Sequence, residues 1–385
     1  MLTLKKVKPS LASSHQALIQ CRFLRSETMS PKHTLNNYRE LFLSERPLMD
    51  VRAPVEFHQG HFNHTHNHPL LDDQQRQAIG LRYKEQGQDA AIELGWQLAT
   101  EEIVEHRLQS WSSFVKQHPE GGLYCFRGGL RSRFSQQLLR DHGIDYPIVE
   151  GGYKAMRQFL LQELEQACES APLMIVAGPT GSGKTKAIHQ IARSIDLEGS
   201  ANHRGSAFGQ RIGSQQPAQI SFENAISQRW LQLGRKQAVV MEDEGRLIGR
   251  LNVPNNLQSA MQRAPLLQID EPLSQRCRWV IEDYVLEPLQ RVDIDTFGEQ
   301  LQNNLYRIRK RLGGLRYGQL LNDFSQACLA WKQAPDPSPF YRPIEQLLRD
   351  YYDPMYNYQL QQRQGQVLFR GRCAEIVDWC REQDL

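Results

Sequence analysis

One octapeptide restricts this chain more than any other stretch. Gly178-Pro-Thr-Gly-Ser-Gly-Lys-Thr185 follows directly on the apolar run Leu173-Met-Ile-Val-Ala177, and a helical pattern, Lys186 to Arg193, comes after it. A buried strand, a glycine-rich turn and a helix in that order form a phosphate-binding loop. Glycines let successive backbone N–H groups converge on one anion. Gly178, Gly181, Ser182 and Gly183 supply that cradle, Lys184 reaches the outer phosphate, and the Thr185 hydroxyl is placed to ligate Mg²⁺. Such a loop sits at the carboxyl end of a strand in a parallel sheet, so the residues around it are α/β. Ala238-Val-Val-Met-Glu-Asp-Glu244 reads as the partner strand. Glu242 or Asp243 can then hold a metal through water, with solvated acids at a strand end an equally good reading.

A second tight turn lies earlier. Leu123-Tyr-Cys-Phe-Arg-Gly-Gly-Leu-Arg-Ser-Arg133 follows polar residues and leads into a helical pattern, Phe134 to Arg140. Cys125 thus stands at a strand-to-helix turn that Gly128 and Gly129 allow to close tightly. Backbone N–H groups and a helix N-terminus converge there, and Arg127, Arg131 and Arg133 add positive charge. These features favour thiolate over thiol, lowering the pKa from a free value of about 8.5. The same cradle suits a tetrahedral oxyanion beside the sulfur. A buried structural cysteine is the plainer alternative, but the arginines and glycines that follow favour a nucleophile.

At 385 residues the chain has room for roughly two or three domains. Its 40% hydrophobic and 23% charged content is that of a globular protein. A net charge of +3 is too small to mark a nucleic-acid binder, so any basic patch must be local. The seven cysteines form no CxxC pair, which argues against a zinc site or a disulfide framework and fits a reducing cytoplasm. No apolar run approaches membrane-spanning length. Residues 1–26 carry Lys5, Lys6, Lys8, Arg22 and Arg25 and no acid, and residues 1–34 read as a dispensable extension with Met29 as an alternative start.

Strand and helix patterns alternate from residue 35 to 168: strands at Pro47–Arg52, Leu123–Cys125 and Ile148–Lys154, long helical patterns over 73 to 115, broken near Gly87 and Gly95, and a helix from Ala155 to Cys168. That alternation predicts a first parallel α/β domain over 35–168, ahead of the P-loop α/β domain over 171–275. His58, His61, His64, His66 and His68 are irregularly spaced among Pro, Asn and Thr, so a surface loop is preferred over a metal site. Past the P-loop, His203-Arg-Gly-Ser-Ala-Phe-Gly209 suits a loop that contacts an anion or nucleotide; His203, Arg204, Gly205, Ser206 and Phe208 are its candidate contacts. Arg246 and Arg250 are placed to face the same phosphates. Residues 276–385 are mostly helical in pattern. There Arg307, Arg309, Lys310, Arg311 and Arg316 interleave with aromatics as an RNA-backbone surface would, and Tyr352 and Tyr356 belong to a tyrosine cluster suited to base stacking or to helix packing.

Asp50-Val-Arg52, Glu56-Phe57, Gly60-His61, a loop cysteine and Glu150-Gly-Gly152 together resemble a rhodanese domain, whose loop cysteine carries transferable sulfur. The Cys125-x5-Arg131 loop is one residue longer than the common rhodanese loop and matches the spacing of cysteine phosphatases. With the P-loop, Asp196-Leu-Glu-Gly, His203–Gly209, Glu242-Asp-Glu and Tyr351-Tyr-Asp-Pro-Met-Tyr356, the order resembles the bacterial tRNA 2-selenouridine synthase family over residues 35 to 385. That resemblance implies a transferase that replaces the C2 sulfur of wobble 2-thiouridine in tRNA by selenium from selenophosphate. It also implies S-geranylation of that sulfur with geranyl diphosphate. Cys125 would then carry selenium as a selenyl sulfide, with Arg127, Gly128, Gly129 and Arg131 holding selenophosphate. The P-loop would grip the diphosphate, aided by Mg²⁺ at Thr185, and Phe208, Trp230 or Trp279 would line the geranyl chain. A selenophosphate-supplying enzyme is compatible as a partner, and no membrane is. Two rivals stay open: a P-loop kinase with an accessory rhodanese module, and a Cys-x5-Arg phosphatase.

Overall fold

The computed structural model describes residues 33–385; the basic stretch 1–26 and Met29 lie outside the described residues. The first unit is a sheet of five parallel strands: β1 (Thr34–Leu35), β2 (Leu48–Asp50), β3 (Thr65–Asn67), β4 (Gly122–Tyr124) and β5 (Ile148–Val149), in the order β1-β5-β4-β2-β3. Side chains alternate across the strands. Met49, Val51, Leu123 and Cys125 pack with Trp111, Phe114 and Leu139 on one face. Leu48, Tyr124 and Val149 pack with Phe42, Met156 and Leu160 on the other. A sheet covered on both faces needs apolar residues at nearly every position, and these short strands have them. Because Thr34 pairs with Ile148, the domain begins inside the stretch read as a dispensable extension.

Two expectations in this unit change. The helix Asp73–Leu98 runs through Gly95 and is interrupted only at Gly87, whose φ of +87° no other residue adopts easily. The histidine stretch is not all loop, since Thr65–Asn67 is the edge strand β3; His66 sits over Phe114 and His118 instead of joining a metal set.

The second unit is another all-parallel sheet, in the order β12-β11-β6-β8-β7, with β6 (Leu173–Ala177) at its centre beside β8 (Val239–Glu242). β7 (Ser194–Ile195) and β11 (Leu266–Ile269) flank them, and β9 (Leu247–Ile248) with β10 (Leu251–Asn252) makes a separate hairpin. The edge strand β12 (Val367–Gly371) pairs with β11, and the helix Cys373–Glu382 packs Ile376, Val377 and Cys380 beneath the sheet. The boundary expected at 275/276 therefore does not hold for the last residues, which return to the P-loop sheet. Residues between these elements form a helical cap built on the antiparallel pair Ile294–Leu312 and Gly314–Gln333. The helix after the P-loop is Lys184–Ile188, shorter than the expected run to Arg193. It stops because Ser194 must enter the sheet, and its hydroxyl ties the carbonyls of Ile188 and Ile191 at 2.7 Å.

The two sheets are joined by a polar seam. The helix Gln219–Leu233 buries Ser221, Asn224 and Gln228 against the Gly60–Asn63 loop. Ser221 Oγ accepts from His61 N at 3.1 Å, Asn224 donates to the His61 carbonyl at 2.9 Å, and Gln228 accepts from Asn63 N at 3.1 Å. Among the described residues no helix is long and apolar enough to cross a membrane.

Candidate functional site

Cys125 lies one residue past β4 and is 3% exposed. Its carbonyl accepts from Tyr153 N, and the Phe126 carbonyl accepts from Lys154 N, both at 2.9 Å, so the loop is bolted to the start of the helix Gly152–Ser170. Gly128 (φ +63°) and Gly152 (φ +59°) face each other so closely that a Cβ on Gly128 would stand 3.0 Å from Gly151 N. Among the described residues no backbone N–H from Phe126 to Ser132 bonds another protein group, and the Ser132 hydroxyl is buried without a partner. A loop of unspent donors at a helix N-terminus is an anion cradle. Gly129 is the residue before that helix, Leu130–Asp141, and Arg127 is exposed with its guanidinium 5.9 Å from the Phe126 ring.

Arg131 departs from expectation. Its guanidinium grips Glu56 through two hydrogen bonds, at 2.5 and 3.1 Å, and Arg76 adds a third contact to the same carboxylate at 3.0 Å. Burial opposes a charge on Glu56, but the hydrogen bonds and charges of Arg131 and Arg76 prevail and hold its carboxyl below its ordinary pKa. Arg131 thus braces the loop through Glu56 instead of presenting a free charge. A second pair lies under the sheet. Arg52 reaches Asp50 at 2.6 Å and the Gly60 carbonyl at 2.8 Å, and covers the Tyr153 ring at 3.8 Å.

The P-loop follows β6 as expected. Gly181 (φ +78°) and Gly183 (φ +86°) take left-handed conformations, and side chains there would strike Val280 and Trp279 at 2.7 Å. Gly178 packs against Ser182, whose hydroxyl is buried and unpartnered. Lys184 Nζ donates to the Gly178 carbonyl at 3.1 Å, curling over the cradle. Thr185 Oγ1 donates to Glu198 at 2.8 Å. Glu198, which sequence reasoning quoted but gave no role, also accepts from Gly205 N at 2.5 Å, while its own N–H donates to Glu242 at 2.7 Å. Glu242 is fully buried with one oxygen unpartnered; burial first, then Asp196 and Glu198, pushes its carboxyl well above the ordinary range. Asp243 is spent on an ion pair with Arg363.

The His203–Gly209 loop is a closed turn: Arg204 N donates to the Gly209 carbonyl at 2.9 Å, and His203 bridges to Gln210. His203 is buried, and that burial lowers its pKa, so it offers no cation to a phosphate. Arg204, Gly205 and Ser206 line the P-loop cleft, Arg204 lying 5.1 Å from the Tyr284 ring and 3.6 Å from Glu287. Arg246 is exposed and outside the cleft lining, and Arg250 is committed to the carbonyls of Gln216 and Pro217. Neither faces the phosphate site.

Of the three candidates for an apolar lining, Trp230 is sealed under the sheet and Trp279 packs on Gly183. Phe208 alone lines an apolar cavity that adjoins the cleft. On the helix Ile294–Leu312, Arg307, Lys310 and Arg311 are exposed, Arg309 lies 3.4 Å from the Tyr306 ring, and Arg311 also borders the cleft; Arg316 is exposed on the next helix. Tyr352 is 5% exposed, and the Tyr356 hydroxyl is buried. Both tyrosines line the P-loop cleft, so they are not part of an outer RNA surface.

The family pattern described as tRNA 2-selenouridine synthase AAA domain matches residues 171–385. A tRNA 2-selenouridine synthase from Marinobacter nauticus is 46% identical over 366 residues, covering 92% of this chain and 99% of the relative. One from Photobacterium profundum is 44% identical over 369 residues, covering 92% and 100%, and one from Hahella chejuensis is 46% identical over 354 residues, covering 89% and 93%. Matches of this length and identity span both sheets, the cysteine loop and the P-loop together. The chain belongs to the tRNA 2-selenouridine synthase family.

Proposed function

We propose that this enzyme replaces the C2 sulfur of wobble 2-thiouridine in tRNA by selenium from selenophosphate, through an S-geranylated nucleoside made with geranyl diphosphate. The observation that carries the reading is the pair of anion cradles in one chain, one built around a nucleophile and one built without. The name shared by the relatives supports tRNA as the substrate and selenium as the incoming atom.

The P-loop binds the diphosphate. Its glycines aim backbone N–H groups at the leaving oxygens, and Lys184 swings from the Gly178 carbonyl onto the charge that develops as the C–O bond breaks. The nucleoside sulfur attacks C1 of the geranyl group, diphosphate departs, and the N3 proton is lost to water. Hard oxygen donors at Thr185 and Glu198, with the unpartnered Glu242 oxygen behind them, fit Mg²⁺, which when bound would neutralise charge on the diphosphate.

The first domain, read as rhodanese-like, handles selenium. Gly128 and Gly129 let the loop donors surround selenophosphate, and Arg127 adds a charge at the rim. The Cys125 thiolate attacks the selenophosphate phosphorus, the P–Se bond breaks and hydrogenselenide leaves; water then releases phosphate from the sulfur. Hydrogenselenide adds at C2, its proton passes to N3, and the geranylated sulfur leaves as geranylthiolate. The basic helix with Arg307, Arg309, Lys310 and Arg311 meets the tRNA backbone near the cleft mouth.

The test is nucleoside mass spectrometry on 2-thiouridine tRNA supplied with geranyl diphosphate and selenophosphate. Cys125→Ala is expected to accumulate the geranylated nucleoside and Lys184→Ala to form none. Wild-type protein that alters no nucleoside with any donor combination overturns the reading and brings forward the kinase and phosphatase alternatives.

A further inference from the structure

The P-loop cleft does not end at the phosphate cradle. Thr180, Arg204, Ser206, Arg211, Tyr284 and Tyr352 line both that cleft and a second cavity running into the helical cap. Beyond this shared neck the wall is apolar, formed chiefly by Val285, Phe297, Leu301, Phe324, Ile344 and Leu348. Most of its polar groups are engaged: Glu287 holds Arg204 and Arg291, Gln300 donates to the Gln210 carbonyl at 3.4 Å, and Asn304 accepts from Arg307 at 3.4 Å, while the buried Arg211 Nε at the neck has no protein partner. Ser206 donates to the Tyr284 hydroxyl at 3.1 Å across the neck.

The neck is also where the helical cap is least regular. Two π-helical turns, Glu282–Leu286 and Leu348–Tyr352, supply Tyr284, Val285, Leu348 and Tyr352 to the cavity wall. A π turn inserts an extra residue into a helix, weakens its ladder and is retained mostly where a binding surface needs the altered side-chain direction. Here two of them point at the same cavity.

We infer that this cavity, about 70 Å³ in volume, is the entrance of the prenyl-chain channel of the P-loop site, with the diphosphate held at Gly181–Thr185 and the hydrocarbon threaded past Ser206 and Tyr284 into the helical cap, whose helices part to admit the rest of the chain. The inference rests on the reading of the P-loop as a prenyl diphosphate site and adds where the chain goes and what limits its length. A nucleoside in the same place would bring ribose hydroxyls and base edges against Phe297, Phe324 and Leu348, which pair with none of them. A hydrocarbon needs no partner and gains by leaving water. Phe208, carried on the closed turn of the His203–Gly209 loop, forms part of the lid over the chain. The chemistry is unchanged by the channel: the C1–O bond must lie at the neck, where the nucleoside sulfur can reach C1 and the diphosphate leaves toward Lys184.

The test compares dimethylallyl, geranyl and farnesyl diphosphates as donors to 2-thiouridine tRNA, following each S-prenyl nucleoside by mass spectrometry. Leu301→Trp fills the chamber and is expected to lower geranyl transfer relative to dimethylallyl transfer by about tenfold or more, since a few excluded methylenes discriminate at that level. Phe324→Ala opens the chamber and is expected to raise farnesyl relative to geranyl transfer. Because each variant is read as a ratio between donors, a general loss of folded protein does not mimic either result. Unchanged donor ratios in both variants, with transfer still abolished by Lys184→Ala, place the chain elsewhere and overturn the channel alone. Absence of transfer from every donor by the wild type overturns the prenyl diphosphate reading and the channel with it.

Discussion

Arg131 and Glu56 meet through two hydrogen bonds directly behind the cysteine loop, 75 residues apart in sequence. The pair fixes the helix that begins at Leu130, and so the direction in which the loop donors point. Glu56→Gln is expected to destabilise the protein by about 2 kcal/mol. That is less than the ~3–5 kcal/mol for breaking a fully buried pair, because the Arg131 side chain is 26% exposed. Urea unfolding checks it.

The same carboxylate sets a pH response. Its pKa is lower in the folded protein than in the unfolded chain, so its stabilisation is present above the unfolded value of about 4.3 and is lost as pH falls through the folded value. Thermal melts of wild type and Glu56→Gln should therefore converge as the pH drops below about 4, and parallel curves would show that the pair does not titrate.

Asp50 and Arg52 are almost completely enclosed, at 0% and 2% exposure. Arg52→Met leaves a buried carboxylate with its partner gone and is expected to cost about 3–5 kcal/mol; replacing both residues together by apolar ones should cost less than the single change. A double-mutant cycle in urea measures the difference.

Glu242 behaves in the opposite sense to Glu56. Its folded pKa is raised, so the stability linked to its proton is complete below the unfolded value and is lost as pH rises through the folded value. Glu242→Gln is expected to match the wild type below about pH 4 and to exceed it in stability increasingly as the pH rises above that. A melting temperature lower than wild type at high pH would mean that the charge is held by a cation.

Glu198 ties Thr185 to the Gly205 turn, and no polar side chain replaces both contacts in Glu198→Ala. Prenyl transfer should fall about 10²-fold, the scale of losing one oriented group at a developing charge, with the cysteine loop unaffected. Separate assays of geranyl transfer and of selenium incorporation into pre-geranylated tRNA divide the two effects.

Much of this was legible because it is local. The P-loop lies within a dozen residues of its strand and helix, and its glycines must have the φ values found at Gly181 and Gly183. Cys125 and Gly128 were readable for the same reason. Contacts between distant segments were not. Nothing near Arg131 announces Glu56, the four-residue helix that carries Glu198 is too short to show a period, and Val367–Gly371 looks like any short β-prone run until β11 offers it an edge. Gly152 was seen only as part of a pattern, since its need to approach Gly128 appears when two turns interlock. Tyr352 could be a stacking platform or a core residue by composition, and its burial decides.

The pairing of β12 with β11 carries an implication for how the protein is made. Strand β6, with the P-loop, leaves the ribosome roughly 190 residues before β12, about 10–40 s of synthesis at 5–20 residues per second. From the emergence of β11, roughly 100 residues before β12, that strand has one open backbone edge, and the apolar underside that Ile376 and Val377 later cover is uncovered. The nascent chain thus passes through a stage in which the second sheet is unfinished, and a strand from much later in the chain closes it.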